Sequence, residues 1–246
     1  VEEAYKRMQE DVQVAHILIK SNPNVANDTI AAFDKIQKAY KRLQAGEAWN
    51  DVVKSTSEDN TSKDNGGDLG YITALLPNGF YSFETAAYET PVGKYSAPIR
   101  TSLGYHIVKV NNKRPARGEL DIAHILLRVK ADGSDEKAVK VRIDEIHRQL
   151  VAGAKFDDVA RKQSEDKTSA ERGGNLGSIS INQYERSFEE AVYALPNDGD
   201  ITAPVRTRLG WHIIKKIRQR PMLTFDQAKR KIETQISRDE RITAAR

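Results

Sequence analysis

The chain has 246 residues, with 39 basic and 35 acidic side chains, five histidines, no cysteine and a formal net charge of +4. The missing cysteines exclude disulfides, thiolate metal sites and a cysteine nucleophile. The two charge signs are interspersed with no basic block alternating with aromatics, which argues against nucleic acid as a partner, and no apolar run approaches the roughly 20 residues that cross a bilayer.

Taken in order, residues 1 to 12 read as the end of a helix, with Ala4, Tyr5, Met8 and Val12 at helical spacing. No signal peptide precedes it, and a chain that begins at Val1 rather than Met reads as a mature or excised fragment. A strand is expected over Val14 to Ile19, then the loop Ser21-Asn22-Pro23-Asn24. The helix that follows presents Ile30, Phe33, Ile36, Tyr40 and Leu43 and is closed by Gly46. A second short helix turns Trp49, Val52 and Val53 inward. Ser57 to Gly67 is a polar, turn-rich loop, the kind of segment that carries functional groups. Leu69 to Ile72 gives a second strand, Phe83 to Tyr88 a short helix and Ser96 to Arg100 a third strand. The last strand contains His106 and is stopped by Arg114-Pro115, since proline has no N–H for the ladder.

After the short linker Ala116-Arg117-Gly118-Glu119 the series is written again. Val14-Ala15-His16-Ile17-Leu18-Ile19 returns as Ile122-Ala123-His124-Ile125-Leu126-Leu127, and Ser57-Glu58-Asp59 as Ser164-Glu165-Asp166. Gly66-Gly67-Asp68-Leu69-Gly70 returns as Gly173-Gly174-Asn175-Leu176-Gly177, Phe83-Glu84 as Phe188-Glu189, and Gly104-Tyr105-His106-Ile107 as Gly210-Trp211-His212-Ile213. A period of this length means two complete domains, not a solenoid. The second copy carries a helix with Val139, Ile143, Ile146 and Leu150 and a short helix with Phe156 and Val159. Its later strands are Leu176 to Ile179, Ile201 to Arg206 and Trp211 to Ile217. The tail opens on Thr224-Phe225-Asp226-Gln227, a capping pattern for a helix running toward Arg246 with the stripe Phe225, Ala228, Ile232 and Ile236. It reads either as an arm of a further domain or as a helix packed on the second domain's own surface.

Each copy sets a histidine in its first strand and another in its last. If those strands are antiparallel neighbours, His16 can lie beside His106, and His124 beside His212. His-Ile-Leu, Ser-x-Asp, Gly-Gly-x-Leu-Gly, Phe-Glu and Thr-x-x-Gly-aromatic-His-Ile, in that order and twice, resemble the parvulin (rotamase) class of peptidyl-prolyl cis/trans isomerases. The resemblance covers about residues 12–115 and 119–221. Tandem copies flanked by helices further resemble the SurA-type periplasmic folding factors.

The resemblance implies an α+β fold of two parvulin-like domains, each a four-stranded antiparallel sheet with three to four surrounding helices, plus flanking terminal helices. The implied division is an N-terminal helical segment at 1–12, domains at 13–115 and 119–221, and a C-terminal helix at 222–246. It places His16, Asp59, Thr101 and His106 in a polar network beneath the first pocket, with Leu69, Phe80 and Phe83 lining the proline slot. In the second copy the network is His124, Asp166, Thr207 and His212, and the lining is Leu176, Tyr184 and Phe188. The methionine usual four residues before the slot phenylalanine is Gly79 in one copy and Tyr184 in the other, so Phe80 and Tyr184 stand for the missing wall. No metal or cofactor is implied. The expected partners are unfolded or proline-containing polypeptides, outer-membrane protein precursors among them, in the periplasm and without membrane insertion.

Such a site suits the chemistry of X-Pro rotation, whose barrier of about 18 to 20 kcal/mol comes from amide resonance. A dry apolar cradle favours the twisted amide over the planar one without a covalent step. Two other readings remain beside it. One is a chaperone or holdase that grips unfolded chains through degenerate grooves; the other is a zinc site made of the paired imidazoles and Asp.

Overall fold

The computed structural model describes residues 1–22, 25–77 and 79–236. The chain divides into two compact units, one formed by Val1–Ala116 with the tail from Leu223, the other by Arg117–Met222.

In the first unit the order is α1 (Glu2–Arg7), β1 (Glu10–Lys20), α2 (Ala26–Gln44), α3 (Trp49–Thr56), β2 (Asp68–Ile72), α4 (Tyr81–Glu89), β3 (Ile99–Thr101) and β4 (Gly104–Pro115). The strands form an antiparallel sheet in the order β2-β1-β4-β3. Its two central strands are buried on both faces, which is why β1 and β4 read as runs of Val, Ile and Leu rather than as apolar and polar in alternation. Ile17, Ile19 and Ile107 pack under α2 and α3. Val12, Val14, Val108 and Val110 face α4 through Phe83, Ala86 and Ala87.

The second unit repeats this arrangement with β5 (Leu120–Arg128), α5 (Glu136–Val151), α6 (Phe156–Gln163), α7 (Lys167–Ala170), β6 (Asn175–Ile179), α8 (Arg186–Tyr193), β7 (Val205–Thr207) and β8 (Gly210–Gln219). Its strand order is β6-β5-β8-β7. The expected α+β class, two four-stranded antiparallel sheets with helices around them, is what the structure has.

Several local expectations are corrected. The helix at residues 1–12 ends at Arg7, and Val12 lies in β1 between Ile72 and Lys113, because pairing on both sides outweighs a marginal helical spacing. On α2 the buried face is Ala32, Ile36, Ala39 and Leu43, whereas Ile30 and Phe33 are 62% and 43% exposed; the alanines let the helix approach the sheet closely. β3 and β7 are three residues each, and Ile201 makes only an isolated bridge to Lys215. The polar loop after Asp166 holds the short helix α7, which the sequence does not announce.

The tail helix α9 (Phe225–Ile236) begins with the expected reciprocal cap: Gln227 Oε1 accepts the Thr224 N–H at 3.0 Å, and Thr224 Oγ1 accepts the Gln227 N–H at 3.4 Å. It packs on α1 and belongs with it to the first unit. Phe225 meets the Tyr5 ring edge-on at 5.3 Å, and the Tyr5 hydroxyl donates to the Leu223 carbonyl. The Ile236 side chain, the expected run of that helix to Arg246, and Pro23 and Asn24 of the first loop lie outside the described residues.

Candidate active site

The two histidines of the first domain are brought together by strand register. Leu18 stands opposite His106 and His16 opposite Val108, so the imidazoles are diagonal neighbours on one face of the β1–β4 pair. Their Nδ1 atoms are 3.2 Å apart. His16 Nε2 lies 2.9 Å from Asp59 Oδ2, and Thr101 Oγ1 lies 2.8 Å from His106 Nε2. Register in β5–β8 does the same for the second copy, with 3.2 Å between the Nδ1 atoms of His124 and His212, 2.8 Å from His124 to Asp166 and 2.8 Å from Thr207 to His212.

Glycine makes this geometry accessible. Gly67 and Gly174 sit at φ +75° and +85°, and a Cβ there would fall 2.1 Å from the His16 carbonyl oxygen or 2.4 Å from that of His124. Only a residue without a side chain lets the loop approach the strand and accept the histidine's own N–H, at 2.9 and 2.8 Å. That is the physical reason for the repeated Gly-Gly.

The protons in the network follow from its acceptors. Asp59 is a carboxylate, so His16 Nε2 carries the hydrogen and its Nδ1 is bare in the neutral ring. His106 Nδ1 must then donate, which leaves His106 Nε2 to accept from the Thr101 hydroxyl. Thr101 Oγ1 in turn accepts the Leu103 N–H at 3.1 Å. The bonds therefore run one way, from Leu103 through Thr101, His106 and His16 to Asp59. Leu209, Thr207, His212, His124 and Asp166 repeat the series, the first link being 3.3 Å.

Electrostatics agrees with this assignment. Burial, reinforced by the neighbouring His16, lowers the His106 pKa to about 3; burial and His124 do the same to His212, also to about 3. Burial lowers His16 and His124 too, against the pull of their aspartates. Burial alone would raise Asp59, but hydrogen bonds from Ser62, Thr61 and His16 outweigh it and hold the carboxyl below its ordinary range. Asp166 is likewise lowered, with Ser169 and His124 as donors. All four rings are thus neutral near pH 7, and their polar atoms are engaged with one another. The arrangement is a polar floor whose members are hydrogen-bonded to one another.

Above the floor stands one phenyl ring per domain. Phe83 meets His106 edge-on at 5.3 Å and His16 at 6.0 Å; Phe188 meets His212 at 5.3 Å and His124 at 6.2 Å. Leu69 packs in the Phe83 cluster and Leu176 in the Phe188 cluster. Phe80 approaches Phe83 edge-on at 6.5 Å, while Tyr184 stacks on Phe188 with centroids 4.7 Å apart. The expected Asp and Thr residues thus bond to the histidine pair of their own domain, the expected Phe83 and Phe188 lie against it, and Leu69, Phe80, Leu176 and Tyr184 pack around those phenyl rings.

Sequence reading missed the residues that hold these groups in place. Ser62 and Ser169 each donate to the aspartate three positions earlier, a local turn pattern that a search around Asp59 and Asp166 could have found. Ser57 and Ser164 accept the N–H groups of Leu18 and Leu126. Glu84 and Glu189, motif residues to which the sequence assigns no role, are buried carboxylates that accept N–H groups from the loops before α4 and α8.

Family models described as a PPIC-type PPIase domain match residues 2–114 and 124–218. The chain belongs to the PPIC-type PPIase family. The match covers both copies, so the duplication is of whole peptidyl-prolyl isomerase domains. Among curated proteins, this PPIC-type chain is 31% identical over 234 residues to Chaperone SurA of Idiomarina loihiensis, an overlap of 92% of this chain and 53% of that protein. It is 32% identical over 237 residues to Chaperone SurA of Methylobacillus flagellatus, covering 93% and 53%. The chain spans about half the length of the curated relatives it matches. A solved PpiC-type peptidyl-prolyl cis-trans isomerase domain is 28% identical, with 43% of this chain and 94% of that one aligned and a TM-score of 0.40. No helix among the described residues is long and apolar enough to cross a membrane.

Proposed function

We propose that this chain isomerises X-Pro bonds of unfolded or exported polypeptides, with the prolyl ring set against Phe83 and Leu69 in the first domain and against Phe188 and Leu176 in the second. The observation that carries this reading is the one-way hydrogen-bond series through each histidine pair. Its members hold each other's donors and acceptors, so the polar floor is rigid beneath the apolar wall of Phe83 and Leu69 or of Phe188 and Leu176. A planar amide gains little there, whereas an amide leaving the plane loses resonance and some charge separation and is favoured by the dry wall. An acceleration of about 10⁴ needs only about 5.5 kcal/mol of such preference.

In this reading His16, Asp59, Thr101 and His106, and His124, Asp166, Thr207 and His212, fix the floor and do not transfer protons. Phe80 and Tyr184 stand where the family's methionine wall would be. Neither a metal nor a cofactor is required. The similarity to chaperones named SurA supports non-native chains as clients; outer-membrane protein precursors among them and a periplasmic location are part of the same proposal.

The test is an NMR exchange or protease-coupled assay on the full chain and on Phe83→Ala and Phe188→Ala. Acceleration that falls with one substitution assigns the active domain, and a full chain without acceleration overturns the reading. The same similarity favours a second reading, in which the chain holds unfolded polypeptide without useful catalysis. Suppression of aggregation that survives both substitutions together, in a chain that does not isomerise, would select it.

A further inference from the structure

Building on the slot assignment above, we propose that Tyr184 is an internal occupant of the second domain's prolyl slot and that Glu189 is the positioning residue that keeps it there. Phe188 is 1% exposed, and the Tyr184 ring lies on it with centroids 4.7 Å apart and planes 17° from parallel. A prolyl ring can reach that face only after the phenol has moved. Tyr184 is itself 37% exposed, so it covers the slot from the solvent side and is not part of the core. Its hydroxyl is partly desolvated and within electrostatic reach of Asp166, both of which raise its pKa.

The cover is fixed through its backbone. Glu189 follows Phe188 on α8 and turns a buried carboxylate toward the preceding loop. Its Oε2 accepts the Asn182 N–H at 3.0 Å, and its Oε1 accepts those of Gln183 and Tyr184 at 2.7 and 2.9 Å. Consecutive N–H groups converging on one anion form a nest, and Asn182, at φ +65°, supplies the left-handed turn that closes it.

The first domain carries the same device with a different outcome. Leu75 sits at φ +67°, and Glu84 accepts the next N–H, that of Leu76, at 3.0 Å while sharing its charge with Arg7 at 3.2 Å. There Phe80 meets Phe83 edge-on at 6.5 Å, and the face-to-face stack is not formed. The two slots therefore differ in what a ligand must displace: the second admits only a group that competes with its own aromatic ring for the Phe188 face.

The full chain, titrated by NMR with a proline tetrapeptide and its alanine analogue, tests this. Signals of Leu176 and Phe188 report the second slot, and those of Leu69 and Phe83 the first. Tyr184→Ala should tighten proline-peptide binding at the second slot about two- to tenfold, the range expected for losing one aromatic stack, and leave the first slot unchanged. Tyr184→Phe keeps the stack and should bind like the parent. Glu189→Gln should tighten binding in the Tyr184 chain and add nothing in Tyr184→Ala, with the amide signals of Gln183 and Tyr184 moving upfield. Weaker or unchanged binding in Tyr184→Ala overturns the proposal, as does a Glu189→Gln gain that adds to it. If no variant shows a peptide-dependent shift at Leu176 or Phe188 while the Tyr184 stack is intact by ring-current shifts, the slot assignment itself fails.

Discussion

His16 and His106 face each other through their Nδ1 atoms at 3.2 Å, and His124 and His212 do so at the same distance. A contact between identical ring atoms needs a hydrogen on one and a lone pair on the other. The aspartate at one end and the threonine at the other decide which is which.

The first prediction concerns acid. The four imidazoles are held below their ordinary pKa, His106 and His212 to about 3, so the folded chain refuses protons that the unfolded chain accepts. Stability from this source is complete above about pH 6.5 and is lost as pH falls toward the folded values, with a slope of up to about 1.4 kcal/mol per pH unit for each ring. Thermal midpoints should be level from pH 8 to 7 and fall steadily from 6 to 4. Isomerase rates should show no inflection between pH 6 and 8, and a bell-shaped profile there would contradict neutral, non-transferring rings.

The second concerns the hydroxyl that starts the series. Thr101→Val keeps the shape but leaves His106 Nε2 without its donor in a buried site, at a cost of about 1 to 3 kcal/mol. Thr101→Ser should restore most of it. Urea denaturation measures the difference, and equal stability of the Val and Ser variants would show that the hydroxyl does not set the His106 proton.

The third concerns α1. Arg7 is buried, reaches Glu84 at 3.2 Å and Thr85 at 3.2 Å, and lies over the rings of Tyr81 and Tyr88. Arg7→Ala strands the Glu84 carboxylate and should destabilise the first unit by about 3 to 5 kcal/mol. Hydrogen exchange should quicken in α4 and leave α8 unchanged. Arg7→Met with Glu84→Gln should recover part of the loss, since no buried charge is then left alone.

The fourth concerns close approach. Gly174→Ala would set a methyl 2.4 Å from the His124 carbonyl oxygen at φ +85°. The loop must then leave β5, and the His124 N–H loses its partner. The His124 and His212 ring signals of the second domain should shift together while those of the first domain stay fixed. An unperturbed second-domain spectrum would show that the glycine is not needed there.

The sequence by itself determined the duplication and the strands that carry the histidines, because strand period and repeated motif order are local properties that survive without coordinates; the α+β class was what the resemblance to parvulins implied. The same resemblance grouped His16, His106, Asp59 and Thr101, and the repeat supplied their counterparts His124, His212, Asp166 and Thr207. Tertiary structure decided what spacing cannot carry. Register made the histidines diagonal partners and so fixed the direction of their hydrogen bonds. Pairing on both sides drew Val12 into a strand, and α9 chose α1 as its partner because Tyr5 and Phe225 meet only when the two ends of the first unit fold together. Glu84 and Glu189 became anchors only once a left-handed turn aimed backbone N–H groups at them, and a turn of that kind depends on the packing around Phe83 and Phe188, which no pattern of residues along the chain can specify.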